Sequence, residues 1–287
     1  MNSPVYKQYD QERLDAQYNL RARHTDFQQH FDRYDRESAR VRKQLPSRLD
    51  IAYGDTPLQT LDIFPATAPG SPVLVFIHGG YWQFLDKGAF SFPAPVFVGA
   101  GAAYVSLNYD LAPTVTIDEI VQQCRRALVW CLANAESFNG DPANIHVSGH
   151  SAGGHLTAMM MTTDWPAHGG LPADLVKGCC AISGLFDLEP LRLCYLNEAL
   201  KLDPPAARRN SPLYNITRHG SPLIAAVGGE ETEEFLRQNG MLTTAWRARG
   251  YPCRELTLAG LNHFTVVDEL GRADSPLTRA ILEQMGL

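Results

Sequence analysis

Several common patterns are missing from this 287-residue sequence. No stretch approaches the roughly 20 apolar residues that a transmembrane helix needs, and the first ten residues lack the apolar run of a signal peptide. The six cysteines show neither a paired secretory framework nor the Cys-x-x-Cys spacing of a metal site. Positive charge is not in excess, because 25 basic residues stand against 31 acidic ones. We therefore expect a cytoplasmic protein that has neither a membrane nor a nucleic acid as its partner.

Metal and dinucleotide motifs are missing as well. The sequence contains no His-Glu-x-x-His pattern, and its nine histidines lack the spacing of metal ligands. The glycines around residue 150 do not form the Gly-x-Gly-x-x-Gly arrangement of a dinucleotide site. We expect no metal and no cofactor, and a small molecule as the substrate.

Strand-like and helix-like segments alternate along most of the chain. Continuous apolar runs of the kind found in fully buried strands lie at residues 73–77, 103–107, 145–148, 179–183 and 223–227, with weaker strand signals at 49–53, 60–64 and 255–258. Helical patterns lie at residues 117–135, 152–162, 233–249 and 276–285. This alternation predicts an α/β fold in which helices cover both faces of a mostly parallel sheet.

The length fits one large domain with two additions. Residues 1–48 are polar and helical in spacing, which predicts one or two surface helices ahead of a main domain at residues 49–287. Residues 185–218 form a long, proline-containing segment between two core strands. An insertion of that size commonly lies over an active site, so we expect a cap there.

A strand, a sharp turn and a helix meet at residues 146–156, and the turn carries a nucleophile motif. Gly149–Gly153 reads Gly-His-Ser-Ala-Gly and matches the Gly-x-Ser-x-Gly elbow of α/β-hydrolases. The turn would hold Ser151 in a strained conformation at the start of the next helix, whose free N–H groups face the reacting centre. The context predicts Ser151 as the nucleophile.

A glycine pair follows the first long buried strand, at His78–Trp82. Acyl transfer builds negative charge on a carbonyl oxygen, and preorganised backbone N–H groups stabilise that charge. The loop matches the one that supplies these donors in esterases with a His-Gly-Gly-Gly-type motif. By this correspondence the oxyanion donors are the amides of Gly80, Tyr81 and Ala152.

The remaining triad members follow the serine along the chain in this fold, the acid before the histidine. His263 comes directly after the last strand-like run, where a loop can return it to the serine, whereas His155, His168 and His219 lack that context. The acid should follow the strand at 223–227, in a segment with four glutamates. Composition does not choose among them, although most must be solvated because burying several carboxylates together is costly.

Several of these segments resemble the kynurenine formamidase (arylformamidase) family. His78–Trp82 looks like the family's His-Gly-Gly-x-Trp motif, and residues 227–238 resemble its acid segment, which ends in Glu-Phe-x-Arg-Gln. Aligning on that ending places the acid at Glu231, with Glu230 as the alternative. Glutamate is a departure from animal members, which usually carry aspartate there. Residues 9–19, 183–190 and 209–212 are also similar to family segments.

The resemblance implies a fold and an activity. It implies an α/β-hydrolase fold with an eight-stranded, mostly parallel sheet and a small helical cap that includes the N-terminal helices. The implied reaction is hydrolysis of N-formyl-L-kynurenine to formate and L-kynurenine, in tryptophan catabolism, with a Ser151–His263–Glu231 triad and no cofactor. Tyr81 and Trp82 would stack on the aryl ring. A homodimer is also suggested by the family.

Two rival functions remain open at this point. Bacterial relatives include general carboxylesterases and arylamidases acting on small acyl groups, and the elbow and triad do not separate these from a formamidase. The second rival is a non-catalytic, ligand-binding α/β-hydrolase relative. Such proteins typically lose the serine or the histidine, and this sequence has both.

Overall fold

The computed structural model describes residues 3–287 and contains one eight-stranded sheet. Its strands are β1 (Arg48–Ala52), β2 (Thr60–Phe64), β3 (Ser71–Ile77), β4 (Ala103–Leu107), β5 (Gly140–His150), β6 (Val176–Ile182), β7 (Leu223–Gly228) and β8 (Cys253–Leu258). They lie in the order β1-β2-β4-β3-β5-β6-β7-β8. β2 is antiparallel to both of its neighbours, and all the other pairs are parallel. The predicted α/β-hydrolase fold is confirmed.

The apolar runs correspond to strands that are covered on both faces. In β3, Val73, Val75 and Ile77 belong to one hydrophobic cluster, whereas Leu74 and Phe76 belong to another on the opposite face. Both faces of the strand are therefore apolar, which removes the usual alternation. β5 begins five residues before the predicted run because Gly140 already pairs with Ser71 of β3, ahead of a register shift, and an apolar pattern reports burial rather than pairing.

Helices cover both faces of the sheet. They are α1 (Gln11–Tyr18), α2 (Leu20–Arg23), α3 (Phe27–Gln44), α4 (Ala94–Gly99), α5 (Ile117–Asn134), α6 (Ala152–Met161), α7 (Glu189–Arg192), α8 (Asn197–Leu200), α9 (Pro204–Arg209), α10 (Glu233–Ala248) and α11 (Pro276–Met285). The four helices predicted from spacing are α5, α6, α10 and α11, and each is found within one residue of the predicted bounds. In the part of the chain that the structure describes, no helix has both the length and the apolar character for a membrane crossing.

The N-terminal segment differs from its prediction, because it forms three helices rather than one or two surface helices. Asn19 ends α1 and its side chain accepts a hydrogen bond from the Ala22 amide, so that one residue closes the first helix and caps the second. Leu14, Tyr18 and Leu20 are buried against the main core. The few apolar positions of this polar segment are therefore its anchors.

The segment predicted as a cap contains α7, α8, α9 and a 3-10 turn at Pro212–Tyr214. Leu185, Leu191 and Leu196 are buried in the main hydrophobic cluster. The division of the chain at residue 48 and the bounds of the cap stay predictions, but both segments contribute to the cavity described below.

Candidate active site

Ser151 lies in the sharp turn between β5 and α6, with φ 58° and ψ −119°. Its amide donates to the Ile182 carbonyl at 2.8 Å, which ties the turn to the neighbouring strand β6. A Cβ at Gly153 would lie 1.9 Å from the Ile77 carbonyl oxygen, so only glycine permits this contact between α6 and β3. The elbow motif thus exists because two backbones meet there without side chains between them.

The loop that follows β3 lies directly beside the elbow. A Cβ at Gly79 would be 2.8 Å from the His150 carbonyl oxygen and 3.1 Å from Ser151 Cβ. Gly80 has φ +105° and the next residue, Tyr81, has φ 49°. Within residues 3–287 the amides of Gly80, Tyr81 and Ala152 donate no hydrogen bond to a protein acceptor. These three N–H groups are available to an oxyanion.

His78 holds this loop and does not face the cavity. One ring nitrogen lies 3.0 Å from Asn108 Oδ1 and the other 2.8 Å from the Gly79 carbonyl. The ring stacks on Tyr109 with a centroid distance of 4.2 Å. Burial lowers the pKa of His78 below its usual value, so the ring stays neutral. The contacts agree with a loop-organising role.

His263 and Glu231 meet at the carboxyl ends of β7 and β8. His263 Nδ1 lies 2.7 Å from Glu231 Oε2, and both side chains are almost fully buried. A carboxylate only accepts, so Nδ1 carries a proton in this contact. His263 and Ser151 line the same cavity.

Glu231 has two further donors that the sequence did not identify. Its Oε1 accepts from the Ser183 hydroxyl and, at 2.8 Å, from the Gly228 amide. Ser183 directly follows β6 with φ 50°, a left-handed conformation that turns the chain beside the acid. Ser183 lay in a recognisable family segment, but nothing in its spacing indicated this contact.

The other three glutamates of the acid segment have separate environments. Glu230 and Glu233 are exposed, which leaves Glu231 as the glutamate that reaches His263. Glu234 is buried with a side-chain exposure of 1%, where it pairs with Arg237 and accepts from the Tyr18 hydroxyl. Two of the four carboxylates are therefore buried, more than predicted, because each has its own partner.

His150, the second residue of the elbow, is a neighbour of the base that the sequence did not single out. Its Nε2 donates to the His263 carbonyl at 2.8 Å, and the two ring centroids are 4.6 Å apart. Burial lowers the pKa of His150 well below its usual value, and the nearby His263 adds to that effect. A neutral His150 therefore holds the backbone of the base without adding a second positive charge.

A cavity of about 310 Å³ opens at Ser151. Its walls come from α2, α3, the loop after β3, the elbow, the cap and the loop after β8. The lining residues are Asn19, Leu20, Arg21, Phe31, Tyr34, Gly80, Tyr81, Gln83, Phe84, Leu85, Phe90, His150, Ser151, Tyr195, Leu196, His263 and Phe264. Seven of them are phenylalanine or tyrosine, so the cavity fits an aromatic group.

Tyr81 and Trp82 were both expected to contact the aryl ring, and the structure separates them. Tyr81 lines the cavity, and its hydroxyl donates to the Tyr18 carbonyl at 2.8 Å. Trp82 is fully buried, is not among the lining residues and meets His155 edge-on at 5.0 Å. Trp82 thus packs against α6 outside the lining of the cavity, and its contact with an aryl ring stays a prediction.

The other three histidines after Ser151 and the cysteines do not line the cavity. His155 is buried with Nε2 2.7 Å from the Asn210 carbonyl, and burial lowers its pKa to about 4. His168 and His219 are exposed in loops. Five of the six cysteines are buried free thiols, and Cys253 is half-buried. Within residues 3–287 no group of three or more His, Cys, Asp or Glu side chains is arranged to hold a metal ion.

The sheet order and the residues gathered at its carboxyl edge define the class: the chain is a hydrolase of the α/β-hydrolase type. A family model described as BD-FAE matches residues 61–169. The kynurenine formamidase of Danio rerio is 31% identical over 254 residues, covering 86% of this chain and 85% of that protein. The chain therefore belongs to the kynurenine formamidase family.

Two further similarities extend beyond that family. A solved structure from Silicibacter sp. TM1040, described as a candidate thioesterase, is 32% identical with a TM-score of 0.83, and covers 93% of this chain and 98% of that one. Esterase LipC of Mycobacterium tuberculosis is 28% identical over 209 residues, or 64% of this chain and 51% of that protein.

Proposed function

We propose that this protein hydrolyses aryl formamides, with N-formyl-L-kynurenine as the substrate, through a Ser151–His263–Glu231 triad. The observation that carries the proposal is the contact of 2.7 Å between His263 Nδ1 and Glu231 Oε2 beside a cavity that also exposes Ser151. The aromatic walls of that cavity and the similarity to kynurenine formamidases support the aryl substrate.

In the acylation step, Glu231 holds the Nδ1–H group of His263, and Nε2 acts as the base. Ser151 Oγ attacks the formyl carbon while His263 Nε2 takes its proton, and Glu231 stabilises the imidazolium that forms. The carbonyl oxygen becomes an oxyanion next to the amides of Gly80, Tyr81 and Ala152. A lost donor of this kind costs roughly 10²- to 10³-fold in kcat in well-studied hydrolases.

Collapse of the tetrahedral intermediate expels the arylamine, which takes the proton from His263. A formyl-serine ester remains on Ser151, and a water molecule attacks it with His263 again as the base. Formate leaves and Ser151 recovers its proton. An arylamine is easier to expel than an alkylamine, since its nitrogen lone pair is delocalised into the ring, and this suits an ester-type apparatus.

A carboxylesterase or arylamidase acting on small acyl groups is the second candidate. It is favoured by the similarity to esterase LipC, and the proposed triad would cleave esters by the same steps. The two candidates differ in how much of the cavity the substrate fills. An aryl formamide contacts the aromatic walls, whereas a small acyl ester does not reach most of them.

The test compares kcat/KM for N-formyl-L-kynurenine with that for 4-nitrophenyl acetate, in the wild type and in Ser151→Ala. A formamide value of about 10⁴ M⁻¹s⁻¹ or more, abolished by the substitution, is expected of a true substrate. Rapid ester cleavage with negligible formamide turnover contradicts the formamidase proposal and favours the esterase.

A further inference from the structure

The charge distribution of the cavity is strongly uneven. Among the described residues that line it, Arg21 is the one with a permanent charge, and none is an aspartate or a glutamate. The chain as a whole has a formal net charge of −6. Arg21 is exposed to solvent. A lone cation in the wall of an otherwise uncharged aromatic cavity, in an acidic protein, attracts an anionic substrate and has no counter-ion within the cavity to neutralise it.

The environment of Arg21 leaves its hydrogen-bonding edge free. Its guanidinium carbon lies 4.1 Å from the centroid of the Phe84 ring and 5.3 Å from that of Phe27. Within residues 3–287 no carboxylate lies within 4.0 Å of its side-chain nitrogens. Stacking on an aromatic face holds the plane of an arginine while its N–H groups point outward, which suits a bidentate contact with a carboxylate.

Arg21 lines the same cavity as Ser151 but belongs to a different part of its wall. It lies on α2 and stacks on Phe84, whose amide donates to the Gly80 carbonyl at 3.2 Å. Both Phe84 and Gly80 line the cavity together with Ser151. An aryl group that has its formamide at Ser151 can therefore lie along the Phe84 side of the cavity and extend a side chain toward Arg21.

We propose that Arg21 is a specificity-determining residue that binds the carboxylate of an aromatic acid substrate. That the substrate is a formamide rests on the proposed function, whereas its carboxylate is inferred from the position and surroundings of Arg21. The occupant is an aryl formamide that bears a short, carboxylate-terminated side chain. A neutral aryl formamide enters the same cavity without using Arg21.

The experiment compares two substrates that share one reacting group. N-formyl-L-kynurenine carries the carboxylate, and 2′-formamidoacetophenone is the same aryl formamide without the amino-acid end. Arg21→Gln is expected to raise KM for the acid on the order of 10-fold, the effect of a lost contact with a charged group at an exposed position. KM for the neutral substrate and kcat for both should change by no more than about twofold.

Two further variants separate charge from geometry. Arg21→Lys keeps the charge but loses the planar fork, and an intermediate KM for the acid is expected. Arg23→Gln removes a charge from the same helix at a residue that does not line the cavity, and it should leave both substrates unchanged. Equal losses on both substrates in Arg21→Gln, or no loss on either, overturn the proposal.

A failure of the proposed function is distinguished by a second readout. If the wild type cleaves neither formamide, the formamidase proposal fails, and Arg21 is tested by inhibition of 4-nitrophenyl acetate hydrolysis. The inhibitors are 4-oxo-4-phenylbutanoate and its primary amide. Selective weakening of the acid in Arg21→Gln supports the carboxylate site, and equal inhibition constants in wild type and variant overturn it.

Discussion

Three donors converge on the carboxylate of Glu231, and they come from three different parts of the chain. Ser183 follows β6, Gly228 ends β7 and His263 follows β8. Since each oxygen of Glu231 is engaged, the carboxylate cannot rotate without breaking a contact. This arrangement orients the imidazole of His263 more firmly than a single contact would.

Substitution of the acid should therefore be costly, whereas its neighbour should be dispensable. Glu231→Gln is expected to lower kcat on the order of 10³-fold, because an amide no longer stabilises the imidazolium or selects its tautomer. Ser151→Ala and His263→Ala should each lower kcat by about 10⁴-fold or more. The assay is 4-nitrophenyl acetate hydrolysis at saturating substrate.

Glu230→Gln is the matched control, because Glu230 is adjacent in sequence and exposed. It should retain the wild-type kcat. If Glu230→Gln lost activity and Glu231→Gln did not, Glu230 rather than Glu231 would be the acid of the triad.

A second prediction at the residue scale concerns the effect of a side chain at Gly80. A Cβ at Gly80 would lie 2.0 Å from the Phe84 carbonyl oxygen, and its φ of +105° disfavours any side chain. Gly80→Ala should displace the amides of Gly80 and Tyr81, two of the proposed oxyanion donors, and lower kcat by roughly 10²-fold or more. Gly240→Ala is the control: Gly240 lies inside α10 with open space around it, so alanine should raise stability by about 0.5–1 kcal/mol. Urea unfolding of both variants separates folding from catalysis.

At the scale of elements, α10 connects the acid segment with the N-terminal helices. Glu234 pairs with Arg237 one turn along α10 and accepts from the Tyr18 hydroxyl at 2.9 Å, and the Thr232 hydroxyl donates to the Gln17 carbonyl. The helix that follows Glu231 therefore also holds the end of α1. α10 thus supports both Glu231 and the N-terminal helices that line one side of the cavity.

Removal of Arg237 should destabilise this junction. Arg237→Met leaves Glu234 buried with a charge that only Tyr18 still contacts, and we expect a loss of about 3–5 kcal/mol in the free energy of unfolding. Arg247 lies on the same helix and forms an exposed ion pair with Glu255 of β8, so Arg247→Met should cost about 0–1 kcal/mol. Urea unfolding measures both losses, and the midpoints can be compared directly if the two variants have the same m-value. Equal losses of unfolding free energy in the two variants would contradict the role of burial.

The elements that the sequence predicted are those whose surroundings are uniform. β3, β4 and β7 are apolar on both faces, and α5 has Thr116 as its cap, so the local pattern was sufficient. Ser151 was visible because its flanking glycines form a short motif along the chain, although the contact that requires Gly153 is with Ile77 of the distant strand β3. The contacts of Ser183 and the walls from α2 and α3 were not visible, because they depend on residues that meet only after the sheet has formed.

At the scale of the whole molecule, four buried histidines make folding sensitive to acid. Burial lowers the pKa of His146 and His155 to about 4, that of His150 well below its usual value and that of His78 below its usual value. In the unfolded chain these rings titrate near about 6.5. Below that pH the unfolded state binds more protons than the folded state, so stability must fall as the pH is lowered from about 6.5 toward about 4.

For His146 and His155, the expected loss between pH 7 and pH 5 is on the order of 2 kcal/mol each. Denaturant unfolding at several pH values measures it. His155→Gln removes one titrating group, so the loss of unfolding free energy between pH 7 and pH 5 should be smaller by about 2 kcal/mol than in the wild type. His219→Gln changes an exposed loop residue and should leave that loss as it is in the wild type. A dependence that is the same in wild type and His155→Gln would contradict the assignment.

The N-terminal helices wall the cavity but find their partners very late along the chain. Tyr18 contacts Glu234, the Tyr34 hydroxyl donates to the Phe264 carbonyl, and Arg33 pairs with Asp268, all separated by more than 200 residues. A ribosome therefore releases the cavity wall first and its support last, and the early segment has to wait until α10 and the loop after β8 have emerged. A nascent chain holds Ser151 long before it holds a closed cavity, and the proposed triad is complete only when synthesis has passed His263.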